Sequence, residues 1–313
     1  AAGMAAPRRL KPLHHVAVSG GTHGNEMSGV YLVKHWLRDR SFAATPFLSN
    51  LRAVEKCVRY VGRDLNRTFT AEFLSSAETE DEPYEVGRAR EINQTYGPKG
   101  SAQAFDFMFD LHNTTANMGT CLIMDSEESL LPMHMCHYIQ THYTQSSCPI
   151  YLYKLPGEES YSIDSVAKTG LALELGPQPQ GVLKANLFAE MRALMACALD
   201  FIELFNTGTV FPAFKTEAYK ITGRVDYPRY PDGEISAMVH PKLQDKDFFP
   251  LNPEDPIFQP FSGEEILYEG DSTIYPAFIN EAAYYEKKVA FVKMEKRTFS
   301  IPGLHTLSLS PSP

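Results

Sequence analysis

The sequence predicts an α/β fold, a sheet flanked by helices, followed by a smaller β-rich unit. Three observations carry this. Up to about residue 208, short apolar runs alternate with stretches whose apolar residues recur at helical spacing. Beyond Asn206-Thr207-Gly208 the chain turns rich in Pro, Gly, Tyr and Phe, and no long helical pattern survives. Two histidines and a glutamate stand where predicted strands end, and in open α/β sheets ligands bind outside the carboxyl ends of strands.

The elements follow in order. His14 to Ser19 reads as a buried strand that runs into Gly20-Gly21. Asn25 to Arg38 then places Met27, Val30, Leu32, Val33, Trp36 and Leu37 at helical spacing. Thr45 to Ser49 is a strand, and Tyr84 to Tyr96 a helix begun by Pro83 and ended by Gly97-Pro98. Phe105 to Leu111 and Thr120 to Met124 are strands, Leu130 to Thr144 a helix, and Ile150 to Tyr153 and Leu171 to Leu175 strands. Leu183 to Phe205 is a long apolar helix. Such alternation implies a largely parallel sheet. In the second unit the strand-like runs are Glu217 to Thr222, Glu234 to Val239, Ile266 to Tyr268 and Val289 to Val292. The boundary is therefore placed at 208, giving units 10–208 and 209–313. The tail, Leu307 to Pro313, is expected to be disordered.

Composition narrows the function. At 313 residues, 43% hydrophobic and 21% charged, the chain can bury a sizeable core. A net charge of −9 with no basic stripe argues against nucleic acid as a partner. No apolar run approaches the roughly 18 residues a membrane span needs. The first nine residues hold no apolar core of the kind a secretory signal carries. Five cysteines, an odd number with no CxxC pair, favour free thiols in a reducing, cytoplasmic setting. The Asn-X-Thr triplets at 66, 93 and 113 are read as accidental, because the first and third overlap the candidate site.

His23 and Glu26 lie in Gly20-Gly21-Thr22-His23-Gly24-Asn25-Glu26, at a helix entrance directly after a strand. His112 closes a second strand in Asp110-Leu111-His112-Asn113. Two imidazoles and one carboxylate suit a catalytic zinc, which takes three protein ligands and leaves a fourth position for chemistry. A structural site would add a fourth ligand, usually Cys, and no cysteine lies near either motif. The glycines are expected to let the backbone approach the metal. Asp110, on the face of His112, is placed to orient an imidazole. The alternative is an ordinary turn and a core histidine. Two His and one carboxylate also tolerate metals other than zinc.

Glu174 stands inside the apolar run Leu171-Ala172-Leu173-Glu174-Leu175, where an unpaired charge is costly and its pKa rises. It is a candidate proton carrier, or else a structural partner of a basic residue. Arg59, Asn66 and Arg67 fall in Cys57 to Arg67; guanidinium groups suit bidentate carboxylate recognition, but arginines so spaced also make an ordinary solvated face. Tyr284 is either a substrate donor reaching across from the second unit or a packed interface tyrosine.

Taken together, the segments GGTHGNE, DLNR, DLHNTT, ELGPQPQG and NEAAYYEK resemble the aspartoacylase family of zinc-dependent amidohydrolases, from about His15 to Lys296. The resemblance implies a zinc-carboxypeptidase-like mixed sheet flanked by helices, with a smaller β-rich C-terminal domain capping the site entrance. It implies one zinc per subunit on His23, Glu26 and His112, Glu174 as general acid/base, Arg59 at the oxyanion, and Asn66, Arg67 and Tyr284 on the carboxylate of an N-acyl amino acid. A homo-oligomer is the expected assembly. One departure concerns specificity. Where the branch that cleaves N-acetylaspartate has an arginine, ten residues before the catalytic glutamate, this chain has Asp164. An acid there repels a second carboxylate. Asp164 to Lys168, Gly100 to Ile123 and Leu199 to Phe205 look more like the aminoacylase 3 branch, which deacetylates N-acetylated aromatic amino acids and mercapturates. The family also carries a longer connection than the few residues between Trp36 and Thr45. The rival readings are an aspartoacylase that receives the second carboxylate with another cation such as Lys287, and a non-catalytic scaffold. A scaffold is expected to lose ligands or base, and all are present.

Overall fold

A computed structural model describes residues 5–307; the expected disorder of 308–313 falls outside them. The strands, in chain order, are β1 (Arg8–Leu10), β2 (Val16–Gly20), β3 (Thr45–Leu48), β4 (Phe107–Asn113), β5 (Gly119–Met124), β6 (Ile150–Leu152), β7 (Gly170–Gly176), β8 (Phe214–Val225), β9 (Ala237–Val239), β10 (Pro256–Pro260), β11 (Ile266–Leu267), β12 (Tyr275–Ala277), β13 (Phe291–Ile301) and β14 (Leu304–Thr306). The helices are α1 (Met27–Trp36), α2 (Leu51–Lys56), α3 (Ala71–Leu74), α4 (Tyr84–Tyr96), α5 (Leu130–His142) and α6 (Ala185–Asn206).

Nine strands form one mixed sheet in the order β12-β13-β8-β6-β5-β7-β4-β2-β3. The run β7-β4-β2-β3 is parallel, β5 is antiparallel to β7, and β8, β13 and β12 form an antiparallel edge. The sheet is thus mixed: four of the five strand pairs formed before residue 208 are parallel, as the alternating apolar runs suggested, and the antiparallel pairs are β5 with β7 and the β8, β13, β12 edge. It also runs across residue 208, because β8 pairs in parallel with β6. Of the remaining C-terminal strands, β11, β10 and β9 form a small sheet around a core of Tyr227, Val239, Phe258 and Phe291, and β14 pairs in parallel with β1.

Strand period decides which side each residue serves. On β4, Phe107, Phe109 and Leu111 face a large core built with α1, α5 and α6. Met108 faces the opposite core, with Ile92 and Tyr96 of α4. Asp110 and His112 share the parity of Met108, so they emerge on the α4 side as the strand ends. On β7 the odd residues Leu171, Leu173 and Leu175 enter the first core. Ala172 and Glu174 therefore share the face of His112, and Glu174 is its register partner across β4 and β7.

Periodicity located most elements before residue 208 within a few residues and α4 at both ends, and it missed β1, β10, β12, β14, α2 and α3. α2 and α3 span six and four residues, too few to display a helical stripe. β8 and β13 run well past the expected segments, because they pair with each other over eleven positions where polar residues are frequent and burial is mixed, so no clean alternation marks the strands in the sequence. The short connection after α1 is closed by Phe42, which stacks on Trp36 at 4.4 Å.

The glycines of the first motif admit helices rather than a ligand. A Cβ at Gly20 would lie 2.3 Å from the carbonyl oxygen of Gly29, so α1 can settle on the end of β2 only while residue 20 lacks one. Gly20→Ala is expected to cost about 1–3 kcal/mol through overpacking. Urea denaturation measures it, and an unchanged midpoint would show that α1 moves aside freely.

A candidate metal centre and its surrounding cavity

The loop after β2 carries His23, and Glu26 takes the N-cap position of α1 with extended backbone. Glu26 does not cap its own helix. Its Oε1 accepts from the backbone N–H of Asn113 at 3.1 Å and lies 2.9 Å from His112 Nδ1. Its Oε2 lies 2.6 Å from His23 Nδ1. The His23 contact has no hydrogen-bond alignment, and His23 Nδ1 is a buried nitrogen without a partner. Ligand atoms of His23, Glu26 and His112 all lie within 4.8 Å of one another, and all three residues are buried.

The far nitrogen of each imidazole is held by a carboxylate. His112 Nε2 lies 2.5 Å from Asp110 Oδ2, and Asp110 in turn accepts from Thr22 Oγ1 at 2.7 Å. His23 Nε2 lies 2.7 Å from Asp64 Oδ1. Such carboxylates fix ring orientation and leave the opposite nitrogen as an acceptor, the form in which imidazole binds a metal. The donor set, its burial and the orphaned Nδ1 all fit a divalent cation. The carboxylates also hold the His112 imidazole pKa well above its usual value against the opposing effect of burial.

Asp64 caps the short turn Leu65–Arg67 and accepts from Asn66 N at 3.0 Å. Its other oxygen receives Arg59 Nη2 at 3.1 Å and Lys287 Nζ at 2.5 Å. Arg59 also reaches Glu26 Oε2, at 3.3 Å, and keeps its buried Nε without a partner. One guanidinium therefore spans the carboxylate among the candidate ligands and the one behind it.

All nine residues singled out in the sequence line one cavity: His23, Glu26, Arg59, Asn66, Arg67, His112, Asp164, Glu174 and Tyr284. Glu174 is buried, which raises its pKa well above the ordinary carboxylate value; His112 opposes this, and the charges of Glu26 and Glu281 add to it. Asn66 Oδ1 accepts from Ile163 N at 2.9 Å, which leaves its amide nitrogen as the free end. Arg67 stacks on the ring of Tyr161 at 4.7 Å, and among the described residues no carboxylate lies within ion-pair distance of it. Burial raises the Tyr284 phenol, so it remains a donor at neutral pH. Asp164 is buried, accepts from Ser162 Oγ, and is pushed up to about 7 by that burial, with Asp110 and Asp125 adding to the rise.

Sequence reasoning missed Asp64 as the partner of His23, and two further groups. Glu281 Oε2 accepts from Thr114 Oγ1, from Thr115 N at 2.7 Å, from Thr115 Oγ1 at 2.8 Å and from Ala116 N at 3.2 Å. This ties the segment bearing Tyr284 to the loop just after His112; an acid in Asn280-Glu281-Ala282-Ala283 with no distinguishing pattern around it was its only trace. The aromatic wall of Tyr151, Tyr153, Tyr161 and Phe278 was also missed, because those residues come from separate elements that only the fold brings together.

Residues 12–202 match the family model of the succinylglutamate desuccinylase/aspartoacylase catalytic domain, and residues 214–296 that of the AstE/AspA barrel-sandwich hybrid domain. The chain is 61% identical to the human N-acyl-aromatic-L-amino acid amidohydrolase (carboxylate-forming), over 98% of each chain. It is 52% identical to the zebrafish (Danio rerio) aspartoacylase, over 90% of this chain and 92% of that one. The crystal structure of murine aminoacylase 3 superposes with a TM-score of 0.91 at 56% identity, covering 94% of this chain and 99% of that one. With both family models matched in order along one chain, the protein belongs to the succinylglutamate desuccinylase/aspartoacylase family.

Proposed function

We propose that this chain is a zinc-dependent amidohydrolase that deacetylates N-acetylated aromatic amino acids and mercapturates, releasing acetate. The observation that carries the reading is one cavity in which a buried His–Glu–His set, a buried Glu174 and an Arg67 without an acidic partner converge. The name of the human relative supports the aromatic preference. One zinc per subunit, on His23, Glu26 and His112, would polarise the scissile carbonyl and acidify the attacking water.

The chain's own residues divide the remaining work. Arg67, the amide nitrogen of Asn66 and the Tyr284 hydroxyl receive the substrate carboxylate, since charge-assisted donors hold such a group in one orientation. The unpartnered Nε of Arg59 is available to the oxyanion, a role typically worth about 3 kcal/mol per donor. Glu174 takes the proton from the attacking water and passes it to the leaving amine, and its raised pKa suits both halves of that transfer. Tyr151, Tyr153 and Phe278 give an aromatic side chain apolar area and edge-to-face partners. Asp164 lies in the same wall, and neither its neutral nor its ionised form offers a cation to a second carboxylate.

The unit 209–313 is proposed to cap the entrance of the catalytic unit 10–208. Contacts supporting this are Lys287 on Asp64 and the Tyr60 hydroxyl on Glu286 Oε2 at 2.7 Å. A cytoplasmic setting is proposed on the five free cysteines. No described helix is long and apolar enough to cross a membrane. A homo-oligomer is proposed as the assembly, to be read by light scattering.

The test of the activity is acetate release from N-acetyl-L-tyrosine and N-acetyl-L-aspartate in parallel, with and without a chelator. Chelator-sensitive turnover of the tyrosine derivative is expected. Turnover mainly of the aspartate derivative would favour the aspartoacylase reading. Glu174→Gln is expected to keep its metal and lose about 10²–10⁴ in kcat; full turnover would overturn the proton-transfer role. Asp164→Arg should raise kcat/KM for N-acetyl-L-aspartate, and no gain would remove Asp164 from the specificity wall.

A further inference from the structure

The inner cavity is small, about 80 Å³. Directly outside it lies a second, of about 490 Å³, and Arg67, Tyr151, Tyr161 and Tyr284 belong to the walls of both. A side chain lying along the tyrosines of the inner wall therefore runs into the outer cavity once it is longer than the inner one accommodates. The outer cavity combines apolar area with charge, from Val289 and Val292 on one hand and Arg224, Lys287, Glu158 and Glu159 on the other.

The sign of that charge follows from what each group already holds. Glu159 Oε1 accepts from the backbone N–H of Ala71 at 2.7 Å and lies 3.7 Å from Lys99 Nζ. Glu158 Oε2 accepts from Leu155 N at 3.2 Å. Both acids are thus partly satisfied from behind. Among the described residues Arg224 makes one ion pair, with Glu158 at a loose 3.7 Å, and its side chain is 39% exposed, so it can still donate to a ligand.

We propose that this outer cavity is a subsite for the far end of long substrate side chains, with Arg224 receiving a distal anionic group. The ligand class is an N-acyl amino acid whose side chain passes an aromatic ring or thioether and ends in a carboxylate. The proposal rests on the amidohydrolase reading above and adds to it a second specificity element, opposite in sense to Asp164: an anion is refused close to the scissile bond and accepted far from it.

The test compares two substrates, N-acetyl-S-benzyl-L-cysteine and N-acetyl-S-(4-carboxybenzyl)-L-cysteine, with the zinc-loaded full chain. The readout is the ratio of their kcat/KM values, which cancels any change common to both. In Arg224→Ala the ratio is expected to fall about fivefold against the carboxylated substrate, the value of one partly exposed charge pair, through KM rather than kcat. Arg224→Lys should restore most of it. Arg224→Glu should lower it further and favour an S-(4-aminomethylbenzyl) analogue instead. A ratio unchanged across these variants, with both substrates still hydrolysed, overturns the subsite and leaves the amidohydrolase reading intact. If the unaltered protein hydrolyses neither substrate nor N-acetyl-L-tyrosine, the amidohydrolase reading fails and takes the subsite with it.

Discussion

The structure is organised around the burial of acids and imidazoles at one point without enough protein cations among them. Glu26, Asp64, Asp110 and Glu174 crowd the ends of β2, β4 and β7, and each is less than a tenth exposed. Arg59 and Lys287 answer part of that charge, and both are spent on Asp64 or Glu26. Taking an ionised carboxylate out of water costs several kcal/mol unless it is paired and hydrogen-bonded. A divalent cation between His23, Glu26 and His112 would offset that cost and relieve the unaligned contact between His23 Nδ1 and Glu26. The site thus brings together carboxylates and imidazoles whose mutual approach fits a cation among them.

Everything else in the site is arranged to keep that point rigid. Parallel pairing of β4 with β7 sets Glu174 beside His112, so the proposed proton carrier and a candidate metal donor are spaced by backbone hydrogen bonds instead of flexible loops. The C-terminal domain closes the arrangement through two contacts of different kind. Glu281 accepts four hydrogen bonds from the loop after His112, and Lys287 reaches Asp64 behind His23. Residues more than 150 positions away in sequence therefore hold both imidazoles' surroundings in place. That coupling gives a physical reason for the main sheet to continue across the two parts of the chain.

The site was more legible in the sequence than its environment. His23, Glu26, His112 and Glu174 announce themselves because polar residues beside glycine turns or inside apolar strands violate local patterning, and such violations mark function. For Arg67 the local sequence favoured a solvated face, and for Tyr284 it left the two readings even; the cavity they share is the observation on which their proposed roles rest. Asp64, Glu281 and the tyrosine wall were illegible because their meaning is entirely tertiary: Asp64 became the partner of His23 through a single-turn helix, and Tyr151, Tyr161 and Phe278 come from three different segments. The glycines of the first motif were legible as constrained positions, but the neighbours that constrain them, Gly29 and Ala53, could be known only from packing. Long strands β8 and β13 were shortened in the sequence reading because polar residues and mixed burial along them leave no regular alternation to read.

The central claim, that the buried His–Glu–His set is built for one metal ion, is tested most directly by metal content. The purified chain is stripped with chelator, reloaded with zinc and measured by elemental analysis, alongside X-ray absorption of the bound metal. The account predicts one zinc per chain, a first shell of two imidazole nitrogens and a carboxylate, and loss of stoichiometric binding in His23→Ala and His112→Ala. No stoichiometric zinc, or zinc bound as tightly after both histidines are replaced, would contradict it.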